Sequence, residues 1–240
     1  MLAIHEVKAF SDNYIWVISD GTAAWVVDPG DAEPVVEFLN GQDLNLVGIL
    51  LTHWHGDHQD GVESLCATFP DISVIGSNKQ LKGPSQPVSE DQHVDVLGAS
   101  FRVIEVPGHT LDHVAYYSDS AMFETPVAFT GDTLFAAGCG RLFEGSPEQM
   151  FSSLQKLNQM AANTRIFCAH EYTLANLKYA VVAEPSNTHM SDRLCSVSNM
   201  RQKEQSTVPT TLEIERLTNP FLRARNAGEL ALRRSQKDSF

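Results

Sequence analysis

The sequence predicts an α+β protein in which two packed sheets are flanked by helices, with a mainly helical segment at the C-terminal end. Two observations carry this. Before Ser146 the chain is a succession of short apolar strands with few helices, and many strands end in polar loops holding histidine or aspartate. From Ser146 onward the spacing turns helical, with Met150, Phe151, Leu154 and Leu157 on one face. A doubly wound fold would alternate strand and helix regularly, and this chain does not.

Residues 2–9, 14–19 and 23–28 read as strands, separated by turn signals at Ser11-Asp12-Asn13 and Asp20-Gly21. Ala32 to Leu39 has helical spacing, with Val35, Val36 and Leu39 apolar, and stops near Gly41. Leu46 to Leu51 is a short apolar strand running directly into a cluster of histidine and aspartate. A helix over 60–69 and a strand over Ile72 to Ile75 follow. Val94 to Leu97 and Phe101 to Val106 are strand-like, and Pro107-Gly108-His109 comes next. Val114 to Ser118 and Ala128 to Thr130 are further strands. Pro147 suits the start of a helix over 147–160. Ile166 to Ala169 is a last short strand, ending at His170. Leu174 to Ala183 and Asp192 to Gln205 have helical patterns, and Arg233 to Phe240 is polar enough to fray.

The 240 residues suffice for one large domain, or one domain with an appendage. The formal net charge is −13, with 17 Lys and Arg against 30 Asp and Glu. Such an acidic surface argues against DNA, RNA or anionic lipid as partner, yet a few local basic residues can still bind an anionic small molecule. Cys66, Cys139, Cys168 and Cys195 form no C-x-x-C pair, so free thiols in a reducing compartment are expected. The start, MLAIHEVKAF, lacks a secretion signal, and no apolar run reaches membrane-spanning length. The expected location is the cytoplasm.

The strongest local signal is Thr52-His53-Trp54-His55-Gly56-Asp57-His58, placed immediately after an apolar strand. Three imidazoles and a carboxylate on one tight loop suit zinc, iron and related borderline metals. His53 and His55 can meet a single ion if the loop is extended, which points Asp57 and His58 toward a second. The plainer alternative is a polar helix start with Asp as cap and histidines on the surface. Metal sites also draw on distant parts of the chain. His109, Asp132 and His170 each stand at the end of a strand, the same context as the first cluster. His5, His93 and His189 suit surface or supporting roles. His113, four residues past His109, is left outside the ligand set.

These residues resemble the metallo-beta-lactamase superfamily, whose signature T-H-x-H-x-D-H stands here as Thr52 to His58. Within it the chain is similar to the hydroxyacylglutathione hydrolases, or glyoxalase II. The narrowing features are Gly108-His109-Thr110, the stretch from Phe129 to Phe135, Gly138-Cys139-Gly140-Arg141-Leu142-Phe143-Glu144-Gly145, and Cys168-Ala169-His170-Glu171-Tyr172-Thr173. Met200-Arg201-Gln202-Lys203 and Asn219-Pro220-Phe221-Leu222-Arg223 also resemble that family. The resemblance implies a four-layer αββα domain over residues 1–168 and a small, mainly helical glutathione-binding domain over 169–240. It implies two divalent ions, zinc or else iron or manganese. One ion takes His53, His55 and His109, the other Asp57, His58 and His170, and Asp132 bridges them. Asp57 and Asp132 become the candidate catalytic carboxylates. Arg141, Phe143, His170, Tyr172, Arg201 and Lys203 become candidate substrate contacts, with Phe143 where tyrosine is common. Trp54, Gly56 and Asp60 depart from the usual residues without removing a ligand.

The implied reaction is hydrolysis of S-(2-hydroxyacyl)glutathione, chiefly S-D-lactoylglutathione, to D-lactate and glutathione by a metal-activated water, in a monomer with no nucleic-acid or membrane partner. The thiolate leaving group needs little acid assistance, and the cysteines are not needed as nucleophiles. Competing expectations are a lactonase, a beta-lactamase or a nuclease of the same fold, or a non-catalytic metal or redox module. The acidic balance and lack of a basic arm count against a nuclease. No electron-carrier segment accompanies the ligands, which counts against the redox reading.

Overall fold

The computed structural model describes residues 1–77 and 85–240. The chain divides into two compact bodies: Met1–Glu105 with Asp112–Gly131, and Val106–Leu111 with Asp132–Phe240.

The first body contains a six-stranded sheet of β1 (Ala3–Ala9), β2 (Asn13–Ser19), β3 (Ala23–Val27), β4 (Asn45–Leu50), β5 (Ser73–Gly76) and β6 (Ser85–Pro87), in that spatial order. The first three strands are antiparallel, and β3 through β6 pair in parallel. Every residue of β2 is buried, which explains its nearly continuous apolar run. Helices α1 (Glu33–Gln42) and α3 (Val62–Thr68) lay Val35, Leu39, Val62 and Leu65 against Val17, Val26, Ile49 and Val74 of the sheet. Between β4 and α3 runs the histidine loop, closed by the single turn α2 (Gly56–Gln59).

The same body carries an antiparallel meander of β7 (His93–Val96), β8 (Ala99–Glu105), β9 (Val114–Ser118) and β10 (Val127–Gly131). The buried Tyr116 hydroxyl of β9 donates to the Leu51 carbonyl at 2.9 Å, and the Val114 N–H donates to the Thr52 carbonyl at 2.9 Å. The meander is thereby bonded to the chain that leaves β4 just before the first histidine.

The second body has a small hairpin, β11 (Leu134–Phe135) with β12 (Gly138–Cys139), and an antiparallel pair, β13 (Arg165–Cys168) with β14 (Thr210–Thr211). Around these lie α4 (Pro147–Leu157), α5 (Thr173–Ala183), α6 (Thr188–Arg201), α7 (Leu212–Thr218) and α8 (Ala227–Asp238). Helix α4 starts with a reciprocal cap in which Ser146 and Gln149 each accept the other's backbone N–H. Ala137, Leu177 and Val197 form an apolar cluster joining the hairpin to α5 and α6.

Several expectations are corrected. The tail from Arg233 does not fray, because α8 runs to Asp238 with Leu230 fully buried and Arg234 nearly so. Arg234 donates to the Cys139 carbonyl at 2.8 Å and pairs with Asp238 at 2.8 Å, so its charge is matched inside the fold. The helix expected over 192–205 begins four residues earlier and stops at Arg201, shortly before Glu204 adopts a left-handed φ of 55°. Strands β6, β11, β12 and β14 and helix α7 are additional; at two or three residues the strands carry no readable alternation. Among the described residues no helix is long and apolar enough to cross a membrane. All four cysteines are free thiols.

Since Leu230 anchors α8, Leu230→Ala should cost about 2–4 kcal/mol, measured as a lowered midpoint in urea unfolding; a change near zero would mean that α8 is not cooperatively packed.

Candidate active site

In the first body the donors cluster on the loop after β4. His53 and His58 are buried. Asp28, at the end of β3, organises them. Its Oδ1 accepts the Thr52 N–H at 2.8 Å, and its Oδ2 accepts the Thr52 hydroxyl at 2.7 Å and the His58 Nδ1–H at 3.0 Å. Because the Thr52 hydroxyl proton is given to Asp28, its oxygen accepts from His53 Nδ1, 3.0 Å away. Both imidazoles are therefore held with Nδ1 protonated, so that in the neutral ring Nε2 carries the lone pair. His53 Nε2 faces His55 Nδ1 at 3.1 Å, and His58 Nε2 lies 3.6 Å from Asp57 Oδ2. Asn13 donates to Asp57 Oδ2 at 3.1 Å and fixes that carboxylate from β2.

The departures from the usual signature have local explanations. Trp54 sets its ring edge against His55, centroids 4.9 Å apart, and packs on the apolar core. A side chain at Gly56 would meet the Asp60 carboxylate, whose Oδ2 stands 2.8 Å from the Cβ position. Gly56 and Asp60 are thus matched in space. His113, left outside the ligand set, is buried and stacks on His53 at 4.6 Å.

In the second body His109, Asp132 and His170 come together. Asp132 Oδ2 lies 3.4 Å from His109 Nε2, and its Oδ1 lies 3.3 Å from His170 Nε2. One carboxylate thus directs its two oxygens at two different imidazoles. His109 Nδ1 donates to the Arg141 carbonyl at 2.9 Å, which again leaves Nε2 as the lone-pair nitrogen. The His109 segment is pinned from several sides: Thr133 donates to the Val106 carbonyl, Ser153 to the Pro107 carbonyl, and the Gly145 N–H to the Gly108 carbonyl. Gly140 permits this closeness, since a Cβ there would stand 2.0 Å from the Asp132 carbonyl oxygen and 3.0 Å from His109 Nδ1. His170 stacks on Tyr172, nearly parallel at 4.7 Å.

The donor sets of both bodies suit divalent ions. Two ligand atoms on one tetrahedral ion at ordinary Zn–N distances stand about 3.3 Å apart, and the separations within each body fall near that value. Neutral imidazoles with the outward N–H bonded to protein oxygen are the form in which histidine ligates metals.

A cavity of about 360 Å³ opens in the second body. Its wall includes His109, Asp132, Phe135, Cys139, Arg141, Phe143, Tyr172, Asn176, Arg234 and Lys237. Among the described residues, three cations thus share the wall with one acidic side chain. Burial, and then the Arg234 and Arg141 guanidinium groups, hold the Lys237 ammonium below its ordinary range, although Asp238 pulls the other way. Phe143 is exposed and meets the His109 ring edge-on at 5.2 Å. Burial pushes the Cys139 thiol up to about 11 and the Cys168 thiol up to about 12, which suits packing rather than nucleophilic attack.

The candidate substrate residues therefore separate. Arg141, Phe143 and Tyr172 line the cavity beside His109 and Asp132. Arg201 and Lys203 are not in that wall. Arg201 donates to the Gln205 carbonyl at 2.7 Å and lies 3.7 Å from Glu171, and Lys203 is exposed. Sequence reasoning missed Asp28, Asn13, Arg234 and Lys237. An aspartate before Pro29-Gly30 at a strand end was a readable signal for the first.

Residues 10–170 match the family model described as Metallo-beta-lactamase superfamily, and residues 171–239 match the one described as Hydroxyacylglutathione hydrolase C-terminus. A hydroxyacylglutathione hydrolase of Pseudoalteromonas translucida (strain TAC 125) is 47% identical over 227 residues, covering 93% of this chain and 86% of the relative. One from Pseudomonas putida (strain GB-1) is 48% identical over 227 residues, with the same coverage. Among solved structures, ETHE1 from Myxococcus xanthus superposes with a TM-score of 0.73 at 23% identity, over 97% of this chain and 90% of that one. A metallo-beta-lactamase from Staphylococcus aureus subsp. aureus COL gives 0.71 at 19% identity, over 99% and 67%. At those identities the structural likeness speaks to the fold, whereas the two family matches and the close relatives together show that the chain belongs to the hydroxyacylglutathione hydrolase family of the metallo-beta-lactamase superfamily.

Proposed function

We propose that this protein hydrolyses S-(2-hydroxyacyl)glutathione, chiefly S-D-lactoylglutathione, to D-lactate and glutathione. The observation that carries this reading is the cavity of the second body, where His109 and Asp132 share a wall with Arg141, Lys237 and three aromatic rings. A glutathione thioester has two carboxylates and one ammonium, and that wall offers the opposite charge beside ligand-bearing residues.

In this reading His53, His55 and His109 would hold one divalent ion, Asp57, His58 and His170 would hold the other, and Asp132 would contribute to the same centre. Bound there, the ions would lower the pKa of water toward neutrality and polarise the thioester carbonyl. Zinc, iron and manganese all suit a mixed His and Asp set. Asp28 keeps His58 in the ligating tautomer directly and His53 through Thr52. Arg141 and Lys237 attract the carboxylates of the peptide, and Phe135, Phe143 and Tyr172 confine its stem. Held at its charged end, the substrate presents its carbonyl in a fixed orientation, which removes part of the entropic barrier. Water loses one proton to solvent and adds its oxygen to the acyl carbon, the C–S bond breaks, and sulfur leaves with the electron pair as a thiolate; the second water proton is released as the acid ionises to D-lactate, and the thiolate takes up a proton. A moderate thiol pKa makes a dedicated acid unnecessary. The chain divides functionally into a catalytic segment, 1–168, and a glutathione-binding segment, 169–240. It acts as a monomer in the cytoplasm, with no nucleic-acid partner; free thiols and the acidic balance support this.

With S-D-lactoylglutathione and metal-reconstituted protein, Asp132→Ala should lower kcat/KM by at least about a hundredfold and reduce bound metal. A folded wild type that keeps its metal but does not turn over the thioester would redirect the search to lactones and other esters. Asp28→Asn should weaken metal affinity by about 10–100-fold in a chelator competition, with the fold retained; unchanged affinity would remove Asp28 from the tautomer-setting role. At pH 8, below both raised thiol pKa values, iodoacetamide should label exposed Cys195 and spare Cys139 and Cys168, with activity preserved. Inactivation in step with thiol labelling would overturn the water-nucleophile reading.

A further inference from the structure

The β11–β12 hairpin supplies Phe135 and Cys139 to the cavity wall, and the chain enters it from Asp132 and leaves it toward Arg141. Its tip is not self-supporting. Ala137 is buried with a left-handed φ of 56°, a conformation that costs free energy for a residue other than glycine. Side chains from distant helices hold its polar groups. The Phe135 and Gly138 carbonyls accept from Asn219 Nδ2 at 3.1 and 2.9 Å, and the Ala136 carbonyl accepts from Asn176 Nδ2 at 3.1 Å. The Ala137 N–H donates to Glu215 Oε2 at 2.7 Å.

Glu215 is fully buried, and its two oxygens have separate partners. Oε1 accepts the Thr210 hydroxyl at 2.8 Å and pairs with Arg193 at 2.7 Å. Oε2 accepts the strained Ala137 N–H and Asn219 Nδ2 at 2.9 Å. A carboxylate needed only to neutralise Arg193 would not have to face the hairpin. Asn219 bonds the same oxygen and both flanking carbonyls, so Glu215 and Asn219 act on the hairpin as one unit.

We propose that Glu215 is a positioning residue for the thioesterase reaction: through its Oε2 and Asn219 it holds the strained Ala137 turn and so sets the cavity wall between Asp132 and Arg141. The inference rests on the function proposed above. Glu215 touches neither substrate nor metal; it fixes the shape of the surface on which the glutathione part lies. Loss of Oε2 would let the turn relax toward a less strained backbone and displace the wall, and substrate binding would suffer more than the chemical step.

The test separates this role from simple neutralisation of Arg193. Two paired variants remove the buried ion pair alike: Arg193→Met with Glu215→Gln, and Arg193→Met with Glu215→Leu. Replacing both charges together avoids stranding one of them and favours retention of the fold. In the Gln pair the amide oxygen can still accept from Ala137 while its NH₂ donates to the Thr210 oxygen. The Leu pair offers no acceptor. Metal-loaded wild type and both variants are compared by KM and kcat for S-D-lactoylglutathione and by amide hydrogen exchange across residues 133–141. The expected result is that the Leu pair raises KM about tenfold with kcat within about threefold and exchanges faster across 133–141 alone, while the Gln pair stays near wild type in both. Equal KM values and equal exchange in the two variants would overturn the proposal. Wild-type protein inert toward the thioester would refute the function above, and the exchange comparison would then decide by itself whether Glu215 holds the turn.

Discussion

An imidazole can hold a divalent ion only through a nitrogen that carries no proton, so something must keep its proton on the other nitrogen. Here buried oxygens do so. The His58 Nδ1–H donates a hydrogen bond to Asp28, the His53 Nδ1–H donates to the Thr52 hydroxyl, which itself donates to the same carboxylate, and the His109 Nδ1–H donates to the Arg141 carbonyl. The demand reaches well beyond the ligands. It places an aspartate at the end of β3, requires the Thr52 segment to run beside it, and brings residues 140 and 141 against His109. Asp28 meets the demand in a left-handed conformation, φ 53°, which aspartate tolerates better than most residues.

The two bodies solve the placement problem with different materials. In the first, the loop leaves a buried parallel strand and is bonded to β9, so the sheets act as a rigid mount. In the second, sheet is scarce, and a network of buried polar side chains takes its place. Glu215, Asn219 and Asn176 supply the partners that the short hairpin cannot find in strand pairing. Buried polar groups are costly when unpaired and rigid when satisfied. Such a network therefore suits a wall that must keep its shape.

Electrostatics follows the same division between global and local. The chain carries a net charge of −13, yet Arg141, Arg234 and Lys237 share one cavity. Screening in physiological salt limits the distant acidic surface to a range of about 8 Å, so neighbouring cations dominate what a ligand feels at contact. The depressed Lys237 reflects burial first and its cationic neighbours second. An anionic ligand would relieve that repulsion.

By itself the sequence determined what is locally encoded. Period-two and apolar runs marked the main strands, the 3.6-residue spacing marked α1, α4 and α5, and the residues from Thr52 to His58 announced metal-binding chemistry because imidazole and carboxylate so close together have few other uses. It also pointed to His109, Asp132 and His170 as polar groups at strand ends. The short strands and the polar helix α8 escaped notice, because two residues carry no alternation and a buried arginine looks like an exposed one. Nor could the sequence show that Arg234 and Lys237 join Arg141 in one cavity wall, since a basic residue's sequence neighbours do not say which surface it faces. Only the tertiary structure decided that Asp28 sets the tautomers of His53 and His58 and that Glu215 reaches Ala137 across 78 positions of chain. Those pairings join residues distant in sequence, and packing of the whole body, rather than local backbone preference, brings them within hydrogen-bond reach.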